Sequence, residues 1–176
     1  MQQTRFRNYS HDPAPATHAL DSLSIISWIQ RRLNSLGYNH LPGNPFFTIN
    51  KRASARALGH VAASMFAAGL PIKCLEAVVL SMWLISEVLP AGISSVPIAF
   101  KSIINLPECE LPGTAAGKQY RHIVLAVAHH SSSAVAGESG EVWGALGLSR
   151  RKDLMNKLFQ YKSLADLIDE YLLAWA

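Results

Sequence analysis

Two cysteines, Cys74 and Cys109, are all that this 176-residue chain contains. A small secreted fold stapled by disulfides needs more, so that class is excluded. Long apolar runs are missing too. The longest, LEAVVLSMWLISEVL (75–89), is interrupted by Glu76 and Glu87 and falls short of the roughly 20 residues that span a bilayer. The first segment, MQQTRFRNYSHDPAPATHAL (1–20), holds no apolar stretch of the kind a secretory signal requires, and reads as a flexible arm. These absences lead to the expectation of a soluble, cytoplasmic protein with no membrane segment. Charged residues are only 16% of the chain and apolar residues 49%, too apolar for disorder. One domain is expected at this length.

Acidic residues are absent between Asp21 and Glu76, a stretch holding Arg31, Arg32, Lys51, Arg52, Arg56 and Lys73. They are absent again over 111–137, where Lys118 and Arg121 lie, and SRRK (149–152) adds three cations. A surface built from these attracts an anion, either nucleic acid or an acidic peptide, although solvated faces with no partner give the same pattern.

Apolar spacing predicts helices over 23–37, 53–69, 74–89 and 163–175. Gly37 and Gly69 serve as stops, and Ser163 as an N-cap with Asp166 three residues on. The helix from Cys74 is apolar nearly all round and is expected at the centre of the core. VPIAFKSII (96–104), RHIVLAVA (121–128) and EVWGALGL (141–148) are short, rich in aliphatic residues and bounded by Gly and Pro, so three strands are predicted. The stretches 38–47, 105–119 and 129–140 read as loops. The order gives an α+β chain, with a helical lobe (21–90) followed by a small antiparallel sheet in a second lobe (91–176). Trp28, Trp83, Trp143 and Trp175 read as core aromatics, and His60 as helix surface. His129 and His130 are adjacent and lack Cys or acid at ligand spacing, so neither a metal nor a cofactor is expected.

A thiol attacks only as thiolate, which a helix N-terminus and a neighbouring cation both favour. Cys74 has a predicted helix start and Lys73 beside it, whereas Cys109 lies between acids in PECELP. His122 follows on a predicted strand, and Ser149 on the end of the next. This order matches papain- and transglutaminase-like thiol hydrolases, in which a helix carries the Cys and the sheet carries the His. Order alone favours a plain buried thiol, since free Cys is commonly buried.

The local sequences are more specific. LPIKCLEAVVL (70–80), YRHIVLAV (120–127) and WGALGLSRRKDLM (143–155) resemble the vasohibin family, as do YNH (38–40), FF (46–47) and VPIAFKS (96–102), all in the family's order and together covering residues 23–175. The resemblance implies a transglutaminase-like cysteine peptidase that removes the C-terminal tyrosine of α-tubulin at the cytoskeleton. It implies Cys74 as nucleophile, His122 as general base and Ser149 as third member, through either its hydroxyl or its carbonyl. It implies Tyr38, Lys73 and Arg150 as the grip on the terminal tyrosine and its carboxylate, with Arg121, Lys51 and Arg151 as further contacts to the acidic tail. A small helical protein, the vasohibin-binding protein, is the implied partner, on the faces of 23–36 and 53–68. The acidic tail then replaces nucleic acid as the expected anion. The segments 105–119 and 128–142 are longer than the family pattern and read as surface loops, and the family continues with helical core where this chain reaches Ala176. Other readings of the same residues are a thiol hydrolase or acyltransferase with another substrate, and a module that binds acidic tails without turnover.

Overall fold

The computed structural model describes residues 21–43, 45–88, 92–104, 118–131 and 140–175. The expectations for the arm 1–20 and for Cys109 lie outside them.

Three helices come first. Helix α1 (Ser22–Leu36) starts at Asp21, whose carboxylate accepts the Ser24 N–H at 2.6 Å, and stops at Gly37 with φ 75°. Helix α2 (Ala55–Ala68) is capped by the Ser54 hydroxyl and ends on left-handed Gly69. Helix α3 (Cys74–Val88) is the central one expected from its all-round apolarity, burying Ala77, Val78, Leu80 and Leu84. Glu76 is the one buried carboxylate in that run, and its partners account for it. Its carboxylate accepts the backbone N–H of Lys73 at 2.6 Å and of Phe47 at 3.2 Å. It thereby ties the preceding loop to the first turn of α3, where N–H groups have no intrahelical partner.

A four-stranded antiparallel meander follows in the order β1 (Ile93–Ile104), β2 (Lys118–Ser131), β3 (Gly140–Leu146) and β4 (Lys157–Tyr161). Strands β1 to β3 are the three expected, with shifted ends: β1 starts three residues earlier at Ile93, β2 extends at both ends to Lys118 and Ser131, and β3 starts at Gly140 and stops at Leu146, two residues short of the expected end. Strand β4 was not expected. It packs at Gly144, where an added Cβ would come within 2.6 Å of the Phe159 ring. A 3-10 turn η1 (Lys152–Leu154) links β3 to β4, and helix α4 (Leu164–Trp175) closes the chain, with the Ser163 hydroxyl accepting the Asp166 N–H as anticipated.

The architecture is three-layered. Alternate residues of a strand point to opposite faces. On β2, Leu125 and Val127 join the core of α1, α2 and α3, whereas Val124 and Ala126 join a second cluster with Phe100, Leu154, Leu167 and Tyr171 beneath α4. This explains why 124–128 is apolar without alternation: the strand is central and covered on both sides. It also shows that the helical and sheet segments share a core. The apolar face of α1 is used up in that core, with Ile26, Ile29 and Leu33 all 2% exposed or less.

One polar side chain inside this core has a positional role. Gln30 of α1 is buried, and its amide grips both backbone groups of Gly147: Nε2 donates to the carbonyl at 3.0 Å and Oε1 accepts the N–H at 3.1 Å. Gly147 leads directly into Leu148, Ser149 and Arg150. Gln30→Leu leaves two buried backbone groups unpaired, and is expected to lower unfolding free energy by about 2–4 kcal/mol. Urea unfolding against wild type checks this; a loss under about 1 kcal/mol would mean that water replaces the amide.

Candidate active site

Three separate segments bring the site together. The chain after α1 forms a parallel bridge at Tyr38 with Ile72, supported by Asn39 N–H to Ile72 carbonyl at 2.8 Å and Ile72 N–H to Gly37 carbonyl at 3.1 Å. This zipper carries Tyr38 to the start of α3, beside Cys74. Strand β2 supplies His122, on the same face as Val124 and Ala126 and opposite Phe100 in the β1 register. The turn after β3 supplies Ser149, Arg150 and Arg151.

Tyr38, Cys74, Tyr120, Arg121, His122, Ser149, Arg150, Arg151 and Trp175 all line one open cavity of about 210 Å³. That is below the roughly 300–1,000 Å³ of pockets for drug-sized ligands. It suits one side chain and the chain end attached to it. Six expected residues other than Lys51 and Lys73 converge with Tyr38 here. Lys73 is next to Cys74 in the chain, but its ammonium donates to the Gly43 carbonyl at 2.8 Å, and Lys51 is exposed in the 51–53 turn. Neither lysine is among the described residues lining the cavity.

The hydrogen bonds sort the remaining residues. His122 Nε2 lies 2.7 Å from the Leu154 carbonyl oxygen. A carbonyl only accepts, so Nε2 carries the proton and Nδ1 is left with its lone pair in the neutral ring. The neighbouring Met155 carbonyl accepts the Tyr171 hydroxyl at 2.5 Å, which fixes the segment that presents Leu154. Burial pushes the Tyr171 phenol far above its ordinary pKa, so it stays a donor. Ser149 is at the cavity wall as expected, with its hydroxyl accepting the Arg151 N–H at 3.2 Å. The imidazole partner in this structure is the main chain of Leu154.

The cations differ in what occupies them. Arg151 is committed internally, to the Asp153 carboxylate and to the Ala174 carbonyl at the end of α4. Arg121 donates to the Gln119 amide at 2.9 Å. Arg150 lies close enough to the Tyr38 hydroxyl for its charge and donors to act on it. Burial raises the Tyr38 pKa, the nearby Cys74 adds to that, and the Arg150 charge opposes it. Trp175, read from sequence as a core aromatic, does pack partly buried against the Phe100–Tyr171 cluster, and it also lines the cavity, stacked on His122. Its spacing of four and eight residues from Tyr171 and Leu167 was the available signal that it shares their face.

Burial lowers the His122 pKa below its ordinary value, and the Leu154 hydrogen bond offsets this in part. The neutral imidazole therefore prevails at neutral pH, as a base requires. In the unfolded chain the ring titrates near its ordinary value, so below that pH the unfolded state binds more protons and the fold loses stability until the lower folded pKa is passed. The melting temperature is expected to fall as pH drops from about 7, with a shallower slope in His122→Asn. An unchanged slope would assign the loss to other groups. Among the described residues, no group of three or more His, Cys, Asp or Glu side chains is placed to hold a metal ion.

Comparison with known proteins gives two findings. The vasohibin family profile matches residues 7–176. Tubulinyl-Tyr carboxypeptidase 1 of Mus musculus is 36% identical over 143 residues, which is 81% of this chain and 32% of the mouse protein. The chain thus spans about a third of the length of that relative.

Proposed function

This chain belongs to the vasohibin family, and we propose on that premise that it is a cysteine carboxypeptidase that removes a C-terminal tyrosine from acidic tails, those of α-tubulin foremost. The observation that carries the reading is the convergence of Cys74, His122, Tyr38 and Arg150 on one cavity sized for a single residue and its carboxylate.

In this reading His122 Nδ1 takes the proton of the Cys74 thiol, with the ring held by the Leu154 carbonyl. The thiolate attacks the last peptide carbonyl. Main-chain N–H groups in the first turn of α3 stabilise the oxyanion. The C–N bond then breaks, the imidazolium protonates the leaving amine and tyrosine departs. Water, deprotonated by the same imidazole, hydrolyses the thioester. Arg150 pairs with the terminal carboxylate, a geometry a guanidinium suits, and Tyr38 orients it there. Ser149 shapes the turn that presents Arg150. Arg121 faces the glutamates upstream of the scissile bond. Arg151, Lys73 and Lys51 add positive potential toward the tail rather than direct grip. The helical partner of the family docks on the outer side of α2, where Ala57, His60, Ser64 and Ala67 are exposed. The site of action is the cytoskeleton, and no described helix is long and apolar enough to cross a membrane.

Incubation with purified α-tubulin tests the reading. Wild type is expected to shorten the chain by one tyrosine, and Cys74→Ala to leave it intact. Equal shortening by the two proteins would remove Cys74 from the chemistry. Binding of the tail with no shortening by wild type would favour a module that holds acidic tails without turnover.

A further inference from the structure

We propose that Trp175 is a positioning residue for His122: its indole is the wall on which the imidazole stacks, and that stacking fixes the ring plane and favours the imidazolium formed when Cys74 gives up its proton. The proposal rests on the reading of Cys74 and His122 as nucleophile and base.

Four observations carry it. The rings of His122 and Trp175 are nearly parallel, with planes 17° apart and centroids 6.0 Å apart. At that distance an indole face attracts a cation. Second, Trp175 is itself backed by Phe100, 6.3 Å away, which is the cross-strand partner of His122 on β1. The imidazole therefore has its Nε2 fixed by the Leu154 carbonyl and its plane fixed by an aromatic stack, two independent restraints. Third, the indole N–H is buried with no hydrogen-bond partner among the described residues. Buried Trp usually finds one, so here packing of the ring face, and not a hydrogen bond, sets its place. Fourth, Arg151 reaches from the Ser149–Arg150 turn to the Ala174 carbonyl, the residue before Trp175. This strut pins the last turn of α4 to the cavity rim. A guanidinium on a C-terminal helix carbonyl is also favoured by the helix dipole.

The proton transfer conserves charge: the Cys74 S–H bond breaks, an N–H bond forms at His122 Nδ1, and a thiolate–imidazolium pair results. Titratable and charged groups on the same wall are Cys74 of α3, Tyr38 ahead of it, Tyr120 and Arg121 of β2, and Arg150 and Arg151 after β3. The three guanidiniums oppose an imidazolium. The indole and the nascent thiolate favour it.

Iodoacetamide alkylation of the full chain, followed at Cys74 by peptide mass mapping across pH, tests the proposal. Trp175→Leu is expected to slow alkylation at pH 6 about 3- to 10-fold and to move the pH midpoint of the thiol–imidazole pair upward by about half to one unit. Trp175→Phe keeps a π face and loses only an N–H that has no partner among the described residues, so it is expected within about twofold of wild type. A wild-type profile in Trp175→Leu, or a Phe variant as slow as Leu, overturns the proposal. If Trp175→Leu does not fold by circular dichroism, wild-type fluorescence decides: emission is expected to fall as His122 protonates, with that titration missing from both Trp175→Phe and His122→Gln. A titration that survives in Trp175→Phe overturns the stack. A wild-type Cys74 that stays silent below pH 7 overturns the underlying nucleophile reading instead, so the two failures are distinguishable.

Discussion

His122→Asn is expected to lower kcat/KM for tyrosine release by about three to four orders of magnitude, with the fold retained. Without the imidazole, none of the described residues lining the cavity is a base suited to take the thiol proton and return it to the leaving amine, and loss of such a base typically costs factors of this size. The companion variant separates two candidates for what orients the ring. His122 donates to the Leu154 carbonyl, while the Ser149 hydroxyl accepts from Arg151. Ser149→Ala removes one neutral hydrogen bond within a turn, worth about 1 kcal/mol, so activity is expected to stay within about tenfold of wild type. A Ser149→Ala loss as large as that of His122→Asn would make the serine hydroxyl the orienting group. Steady-state kinetics on a short acidic peptide ending in tyrosine reads both variants.

Arg150→Met is the second large effect. Arg150 stands at the cavity beside the Tyr38 hydroxyl, and methionine keeps the length while removing charge and donors. A charge-assisted hydrogen bond to a carboxylate is worth about 1.5–3 kcal/mol, so kcat/KM is expected to fall about 10- to 150-fold, mainly through KM. Amidating the peptide C-terminus removes the same interaction from the substrate side. The amide is expected to lose a similar factor with wild type and little more with Arg150→Met, since interacting groups are not additive. Independent, multiplying losses would show that Arg150 grips something other than the terminal carboxylate. The same pair of peptides tests the internal commitment of Arg151. Its guanidinium is held by Asp153 and the Ala174 carbonyl, so Arg151→Met should not distinguish acid from amide.

Much of this molecule was legible in its sequence, for identifiable physical reasons. Helices α1, α2 and α4 carry period-3.6 apolar stripes whose expected caps, Gly37, Gly69 and Ser163, are in place, while α3 was legible from its all-round apolarity. Strands β1, β2 and β3 are aliphatic runs between breakers. LPIKCLEAV and GALGLSRRKDLM mark the segments that meet at the cavity, and Cys74, His122, Ser149 and Arg150 all reach it.

The unread parts share a cause: they are made by the main chain or by long-range pairing. Strand β4 is five residues, KLFQY, with Leu158 exposed, so its alternation has little contrast to reveal it. The His122 partner is a carbonyl, which every residue has, so no side-chain identity at Leu154 could announce it. Gln30 looks like helix surface until Gly147, 117 residues away, is folded against it. Lys73 and Arg151 were expected at the substrate from the resemblance and from their charge, and neither reveals that Gly43, Asp153 and Ala174 already occupy them. Trp175 was read by its apolarity, whereas its position at the end of α4 sets it on the imidazole.

The most direct measurement is a mass spectrum of a peptide ending in Glu-Glu-Tyr with a free carboxylate, after incubation with wild type and with Cys74→Ala, each with and without a helical partner of the vasohibin-binding kind. The account predicts loss of a single tyrosine with wild type and an unchanged mass with Cys74→Ala. An unchanged mass in all four mixtures, or equal tyrosine loss from Cys74→Ala, would contradict it.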